Sequence, residues 1–251
     1  MNRLYFWCII CIFFTVACNN NSENKTATTA ADTDRTTGLI PYTLIKSFPH
    51  DTNSFTEGLL VHNGKLLEST GHTDSYEKSR SLFGVLDTVS GKIDIKAEID
   101  KEKYFGEGIV VFKDKIYQLT ETNEIGFVYD AVTYKKLGEV KYKGDGWALT
   151  TDGTTIMMSN GSSNIIYRDA ATFAPVKTLN VTDDNGPVSN INELEFINGF
   201  IYANEWLTNY ILKIDTSTGR VVGKLDLSAL AADAKAIYAG AIEMNGIAFD
   251  A

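Results

Sequence analysis

From residue 39 onward the chain alternates apolar and polar positions in short runs, each closed by a turn-forming pair. A period of two marks half-buried β-strands rather than helices. Phe55-Thr56-Glu57-Gly58-Leu59-Leu60-Val61 returns as Phe105-Gly106-Glu107-Gly108-Ile109-Val110-Val111. Looser copies are Asp145-Gly146-Trp147-Ala148-Leu149-Thr150, Asn192-Glu193-Leu194-Glu195-Phe196 and Met244-Asn245-Gly246-Ile247-Ala248-Phe249. Aligned on Glu57, Glu107, Trp147, Glu193 and Asn245, the copies recur every 40 to 52 residues. The first four are each followed by a turn (Asn63-Gly64, Lys113-Asp114, Asp152-Gly153, Asn198-Gly199) and a second apolar run. Asn-Gly and Asp-Gly tolerate the positive φ that two-residue hairpins require. A third landmark keeps step: turns led by Asp87, Asp130, Asp169 and Asp215, each between two strand-like runs. Every unit therefore reads strand, turn, strand, loop, strand, turn, strand, over about 45 residues, the signature of a propeller blade. A β-sandwich with similar turns does not explain three landmarks staying in register.

Residues 39–251 hold between four and five such units. The run Pro41-Tyr42-Thr43-Leu44-Ile45-Lys46-Ser47-Phe48 reads as a lone fourth strand, placed to complete a last blade whose other strands come from the C-terminal end. The sequence stops at Asp250-Ala251, inside the first of those strands. The expected fold is all-β, a five-bladed β-propeller with its last blade incomplete.

The N-terminus follows a different pattern. Arg3 precedes an apolar run from Leu4 to Val16, too short for a bilayer span of ~20 residues and suited to the core of a secretory signal peptide. Thr15-Val16-Ala17-Cys18 places small residues before a cysteine, as in a bacterial lipoprotein signal, in which Cys18 becomes the acylated first residue. Cleavage without lipidation is the alternative. Residues 1–18 are thus expected to be a signal, and the Asn/Thr/Ala/Asp-rich residues 19–38 a flexible tether. The expectation is an exported monomer of the bacterial periplasm or cell envelope, meeting the membrane only through a lipid anchor. All three cysteines precede residue 19, so the repeats contain no thiol for a disulfide, zinc ligation or a nucleophile. With 23 basic against 32 acidic residues and a net charge of −9, nucleic acid is an unsuitable partner.

In a propeller the inner strands surround one channel, so Glu57, Glu107, Trp147, Glu193 and Asn245 are expected at one mouth. Near them should lie the loops after the second strands: Glu68-Ser69-Thr70-Gly71, Thr120-Glu121, Ser159-Asn160-Gly161 and Asn204-Glu205-Trp206. Crowded carboxylates raise one another's pKa and make a proton shuttle near neutral pH available. Structural glutamates bonded to neighbouring backbone fit the same positions equally well. His50, His62 and His72 lack the spacing and the partners of a zinc site. No cofactor is expected, although a structural calcium held by channel carboxylates is compatible with the sequence. Gly58, Gly108 and Gly146 begin strands, so they form no phosphate-binding glycine loop.

Taken together, Phe55-Thr56-Glu57-Gly58-Leu59, Leu66-Leu67-Glu68-Ser69-Thr70-Gly71, Phe105-Gly106-Glu107-Gly108, Tyr117-Gln118-Leu119-Thr120, Gly126-Phe127-Val128-Tyr129-Asp130, Asp145-Gly146-Trp147-Ala148-Leu149-Thr150-Thr151-Asp152-Gly153, Asn192-Glu193-Leu194-Glu195 and Asn245-Gly246-Ile247-Ala248 resemble the plant and bacterial glutaminyl-peptide cyclotransferases. The resemblance runs from about residue 42 to 250, in order and in register. It implies a five-bladed, metal-independent acyltransferase that converts the N-terminal glutamine of peptides and proteins to pyroglutamate and releases ammonia. It implies Glu68 as the proton shuttle and Trp147 and Trp206 as aromatic walls. Glu57, Asn160, Asn192 and Glu193 are implied to contact substrate. The chain departs from the family where Glu57 replaces the usual Gln, where Glu121 replaces the usual Trp, and where a C-terminal lysine falls past Ala251. Those departures motivate a second reading, a catalytically silent propeller binding peptide or glycan ligands at the same mouth. A metal-dependent lactonase or hydrolase is a third.

Overall fold

The computed structural model describes residues 37–250. The expected signal, Cys18 and almost all of the expected tether lie outside those residues. A short strand β1 (Gly38–Leu39) comes first. Blade 1 follows, with β2 (Phe55–His62), β3 (Lys65–Gly71), β4 (Leu82–Leu86) and β5 (Ile93–Glu98). Blade 2 has β6 (Gly106–Phe112), β7 (Lys115–Thr120), β8 (Ile125–Asp130) and β9 (Lys136–Lys141). Blade 3 has β10 (Leu149–Thr151), β11 (Ile156–Met158), β12 (Asn164–Arg168) and β13 (Pro175–Asn180). A small hairpin, β14 (Thr182–Asp183) and β15 (Gly186–Pro187), leads to blade 4. That blade has β16 (Ile191–Ile197), β17 (Phe200–Glu205), β18 (Tyr210–Asp215) and β19 (Val221–Asp226), and helix α1 (Ser228–Ile237) comes last.

Each blade is an antiparallel meander, and β1 adds to the outer edge of blade 4, parallel to β19. The described residues thus form an all-β, propeller-like fold of four blades. The turns are those the sequence demands: Asn63-Gly64 and Asn198-Gly199 both take positive φ at each residue. Asp87, Asp130, Asp169 and Asp215 each accept backbone N–H bonds from the residues two and three ahead, one turn built four times.

Packing follows the period of two. One core lies between blades 1 and 2 (Leu60, Leu67 and Phe83 against Ile109, Ile116 and Phe127). A second joins blades 2 and 3 (Tyr117 and Leu119 against Leu149, Met158 and Phe173), and a third joins blades 3 and 4 (Met157 and Ile165 against Leu194, Ile201 and Leu212). Inner strands β2, β6, β10 and β16 touch in turn, and β16 also meets β2. Gly58 and Gly108 permit this approach, since a Cβ on Gly108 would come 2.5 Å from Ala148 Cα.

Two expectations are corrected. Residues 41–48 form no strand and are exposed, because no described strand lies beside them to pair with. The fifth repeat, residues 244–249, also forms no strand, yet it is docked by side chains at its expected inner position, as described below. Helix α1 was not anticipated from the repeats. Its alanine-rich run, Ala229 to Ala236, is a strong helix former that the period-two pattern does not register.

Candidate active site

Each inner strand begins with a β-bulge, two residues facing one on the second strand. Glu57 and Gly58 oppose Ser69, Glu107 and Gly108 oppose Leu119, and Asn192 and Glu193 oppose Asn204. In blade 3, Trp147 N–H donates to Ser159 O (3.1 Å) while Ser159 N–H donates to Ala148 O (3.1 Å), the same two-against-one arrangement. A bulge re-aims the extra side chain. Register therefore makes Glu57, Glu107, Trp147 and Asn192 the equivalent positions. The alignment on Glu193 was one residue late, because Asn-Glu offers two polar residues where the other copies offer one.

The second bulge position explains Glu193. In blades 1 to 3 it holds Gly58, Gly108 and Ala148, small enough for backbone contact with the next strand; Gly108 N–H donates to Trp147 O at 2.8 Å. In blade 4 the glutamate side chain bridges instead. Glu193 Oε1 accepts Leu59 N–H of blade 1 (3.3 Å) and Oε2 accepts Ile247 N–H (2.8 Å). Around it, Asn204 Oδ1 accepts Gly246 N–H (3.0 Å) and Glu195 Oε1 accepts Phe249 N–H (3.1 Å). Asn245 Nδ2 donates to Glu57 Oε2 (2.8 Å) and Thr56 O (3.2 Å), completing a ring from blade 4 through residues 245–249 to blade 1.

Glu57 and Glu107 are both buried neighbours. Burial first, then neighbouring charge (Glu121 on Glu57, Glu57 and Glu121 on Glu107), pushes both well above the ordinary carboxylate range. Each therefore keeps its proton to higher pH than an ordinary carboxyl does. Glu121 is itself raised by burial and by Asp145. Among the described residues no ion pair includes Glu57, Glu107, Glu121 or Asp145, so this mouth is an uncompensated acidic site.

Trp147 and Trp206 meet edge to face, ring centroids 5.4 Å apart at 77°. Backbone bonds tie their loops together: Asn190 N–H donates to Gly161 O (2.8 Å) and Trp206 N–H to Asn190 O (2.9 Å). Trp206 remains 38% exposed, so the pair forms a wall open to solvent on one side. Asn160 Oδ1 caps its own turn by accepting Ser162 N–H (3.3 Å) and Oγ–H (2.6 Å). Gly161, at φ +75°, lies under the Trp147 ring, which a Cβ there would strike. Gly161→Ala is expected to cost about 1–2 kcal/mol for the left-handed backbone alone. Near-UV circular dichroism should report the displaced pair as a loss of coupled tryptophan signal; an unchanged spectrum would count against this packing.

Glu68, on β3, is fully buried. Leu67 joins the core toward blade 2, so period-two alternation turns Glu68 to the opposite face. Its Oε1 accepts Thr56 Oγ1–H (2.6 Å) and is paired with His50 Nε2 (2.8 Å). Among the described residues the buried side-chain polar atoms without a partner are Glu68 Oε2, Glu107 Oε2 and Asn192 Oδ1. All three are acceptors. The structure thus brings Glu57, Trp147, Asn192 and Glu193 into one ring, with Asn160 and Trp206 on the adjoining loops; the bonded partners of Glu68 are Thr56 and His50, not the tryptophans. Glu107 and Asn204 belong to the same ring, a role their repeat positions already indicated. Thr56 and His50 as partners of Glu68 were not legible, since pairing across β2 and β3 and the path of residues 49–54 decide them. No group of three or more His, Cys, Asp or Glu side chains among the described residues is arranged to hold a metal ion.

A sequence profile described as glutamine cyclotransferase matches residues 13–251. The chain belongs to the glutamine cyclotransferase family. A glutaminyl-peptide cyclotransferase of Arabidopsis thaliana is 34% identical over 210 residues, covering 82% of this chain. The chain spans 64% of that relative's length. The crystal structure of Myxococcus xanthus glutaminyl cyclase superposes with a TM-score of 0.72 at 32% identity, covering 83% of this chain and 86% of that one.

Proposed function

We propose that the protein is a glutaminyl-peptide cyclotransferase acting on peptides or proteins that begin with glutamine. The observation that carries this is Glu68: a buried carboxylate with one oxygen held and the other free of partners, in a member of this family. The substrate's α-amine attacks its own γ-carboxamide carbon. A C–N bond forms to the amine, the bond to the amide nitrogen breaks, and ammonia leaves. Glu68 Oε2 takes the proton from the attacking amine and returns it to the departing nitrogen, so one carboxylate serves both transfers. Trp147 and Trp206 wall the curled side chain, which is where orientation lowers the barrier. Asn192 Oδ1 offers an acceptor to the amide or amine N–H groups. No metal is assigned a step.

The finer architecture belongs to the same proposal: five blades, the fifth begun by residues 245–249 docked between β16 and β2. The secretory signal, lipidation at Cys18 and a monomeric enzyme in the periplasm or cell envelope complete it, supported by the sequence pattern alone. A second reading, a propeller that binds cationic peptides without turnover, draws on the acidic mouth at Glu57, Glu107 and Glu121. Mass spectrometry of a Gln-Phe-Ala peptide separates the two. The expected result is loss of ammonia, about 17 Da, above the spontaneous rate and undiminished by EDTA. Binding without mass loss would favour the second reading, and EDTA inhibition would reinstate a metal.

A further inference from the structure

The acidic mouth rises from the floor at Glu57 and Glu107 to a rim built by Glu121 and Asp145. Glu121 follows β7 at once, and its backbone is clamped on both sides. Its N–H donates to Phe105 O (3.2 Å), just before Glu107, and its carbonyl accepts Gly146 N–H (2.9 Å), just before Trp147. Glu121 therefore stands half-buried between Glu107 and the tryptophan wall, with the exposed Asp145 beside it. Across the mouth, Asn245 Nδ2 donates to Glu57 Oε2 (2.8 Å), which brings the exposed Glu243 close enough to act on Glu57. The cation on the same loop, Lys143, is committed elsewhere: its Nζ bonds Glu124 Oε2 (2.7 Å), while Gly144 N–H donates to Glu124 Oε1 (3.0 Å). Among the described residues no ion pair includes Glu121, Asp145 or Glu243. A second observation points to a ligand: Glu107 Oε2 and Asn192 Oδ1, on equivalent bulges of this ring, are buried acceptors without a partner. Glu107 feels Glu57, Glu121 and Asp145 in turn, so its free oxygen belongs to the mouth and not to the core.

We propose that the protein selects peptides carrying Lys or Arg at one of the two positions after the N-terminal glutamine, with Glu121 and Asp145 as the specificity-determining residues. This rests on the cyclase reading above, not on which carboxylate moves the proton. With the glutamine on the floor, the next two residues extend at most ~7 Å beyond it, so their side chains are the ones that meet the rim. Acidic neighbours repel one another there, and a cation placed among them relieves that repulsion as well as adding its own attraction. The carboxylates are not arranged to hold a metal ion among the described residues, so the cation that fits is one on a flexible side chain. A peptide with Glu in the same place would add a further uncompensated charge, and its exclusion is the other half of the selection.

Steady-state kinetics of the full chain on amidated Gln-Arg-Ala, Gln-Ala-Ala and Gln-Glu-Ala, corrected for spontaneous cyclisation, tests this. The kcat/KM ratio of the Arg to the Glu peptide is expected to be about 30 at low salt, from two partly exposed charges, and to fall to about 5 in 1 M salt. The difference should lie in KM, with kcat within about twofold, because the rim holds ground state and transition state alike. In Glu121→Gln/Asp145→Asn the ratio should collapse to about 3 or less. Both peptides are compared on one preparation, so partial misfolding cancels from the ratio. Asp145→Asn alone, at an exposed position, gives the same readout with about a threefold drop. Equal kcat/KM for the three peptides would overturn the proposal, as would a preference that survives 1 M salt or both substitutions. Wild type that converts none of them overturns the cyclase reading and this selectivity with it, whereas conversion of all three alike overturns the selectivity alone.

Discussion

Replacing Glu68 by Gln is expected to lower kcat on Gln-peptides by about 10³-fold while KM stays within about threefold. The amide matches the carboxyl in shape and still accepts from Thr56, so the buried site between β2 and β3 keeps its packing. What it loses is the capacity to carry a proton, which is needed twice in each turnover. An effect confined to kcat is the mark of an interaction made in the transition state rather than on binding. Glu107→Gln provides the contrast. Glu107 is also buried and also has an oxygen without a partner, but its neighbours are Glu57, Glu121 and Asp145, whose charges add to burial in pushing its pKa up. Removing its charge should leave kcat within about fivefold and raise stability, because a repelled buried carboxylate is replaced by a neutral group. If the loss of kcat followed Glu107 instead, the shuttle would belong to the Glu57–Glu107 pair and the assignment to Glu68 would be wrong.

The contrast between these two glutamates shows which parts of the molecule were legible beforehand. Repeats, turns and blades could be read because they are local: an Asn-Gly pair or an Asp-led turn states its own geometry, and period two states which face is buried. The ring was legible to within one residue, since repeat position places Glu57, Glu107 and Trp147 together. The shift at Asn192 and Glu193 could not be seen, because register in a bulge is set by the opposing strand. Glu193 illustrates the consequence. Sequence placed it beside substrate, while the structure gives both its oxygens to backbone N–H groups of Leu59 and Ile247. His50 lay beyond reach for another reason. It belongs to no repeat, and its partner stands on β3, reached only once the chain before β2 folds over the β4–β5 turn.

The closure of the ring makes stability depend on pH in a definite direction. Glu193 is pushed well above the ordinary carboxylate range, by burial first and then by Glu195. Burial raises Glu195 to about 7. A carboxyl whose folded pKa exceeds its unfolded value binds its proton more tightly in the native state, so it favours folding most at low pH. That advantage is lost as pH rises through the folded value. Glu57 and Glu107 act in the same sense. So does His50, whose pairing with Glu68 stabilises most below its ordinary pKa and less as the imidazolium deprotonates. The protein is therefore expected to be most stable near pH 5 and to lose on the order of 2–3 kcal/mol by pH 8 from Glu195 alone. Urea unfolding at the two pH values measures this, and Glu195→Gln should flatten the dependence. Glu193→Ala should do something different: it leaves Leu59 and Ile247 N–H without acceptors, at about 1–3 kcal/mol for two part-buried donors, and so lowers stability. Residues 245–249 are held by Glu57, Glu193, Glu195 and Asn204 side chains rather than by a strand ladder, so hydrogen exchange at Ile247 should accelerate first. A stability profile flat between pH 5 and 8, with Ile247 already unprotected in wild type, would mean that this segment does not close the ring in solution.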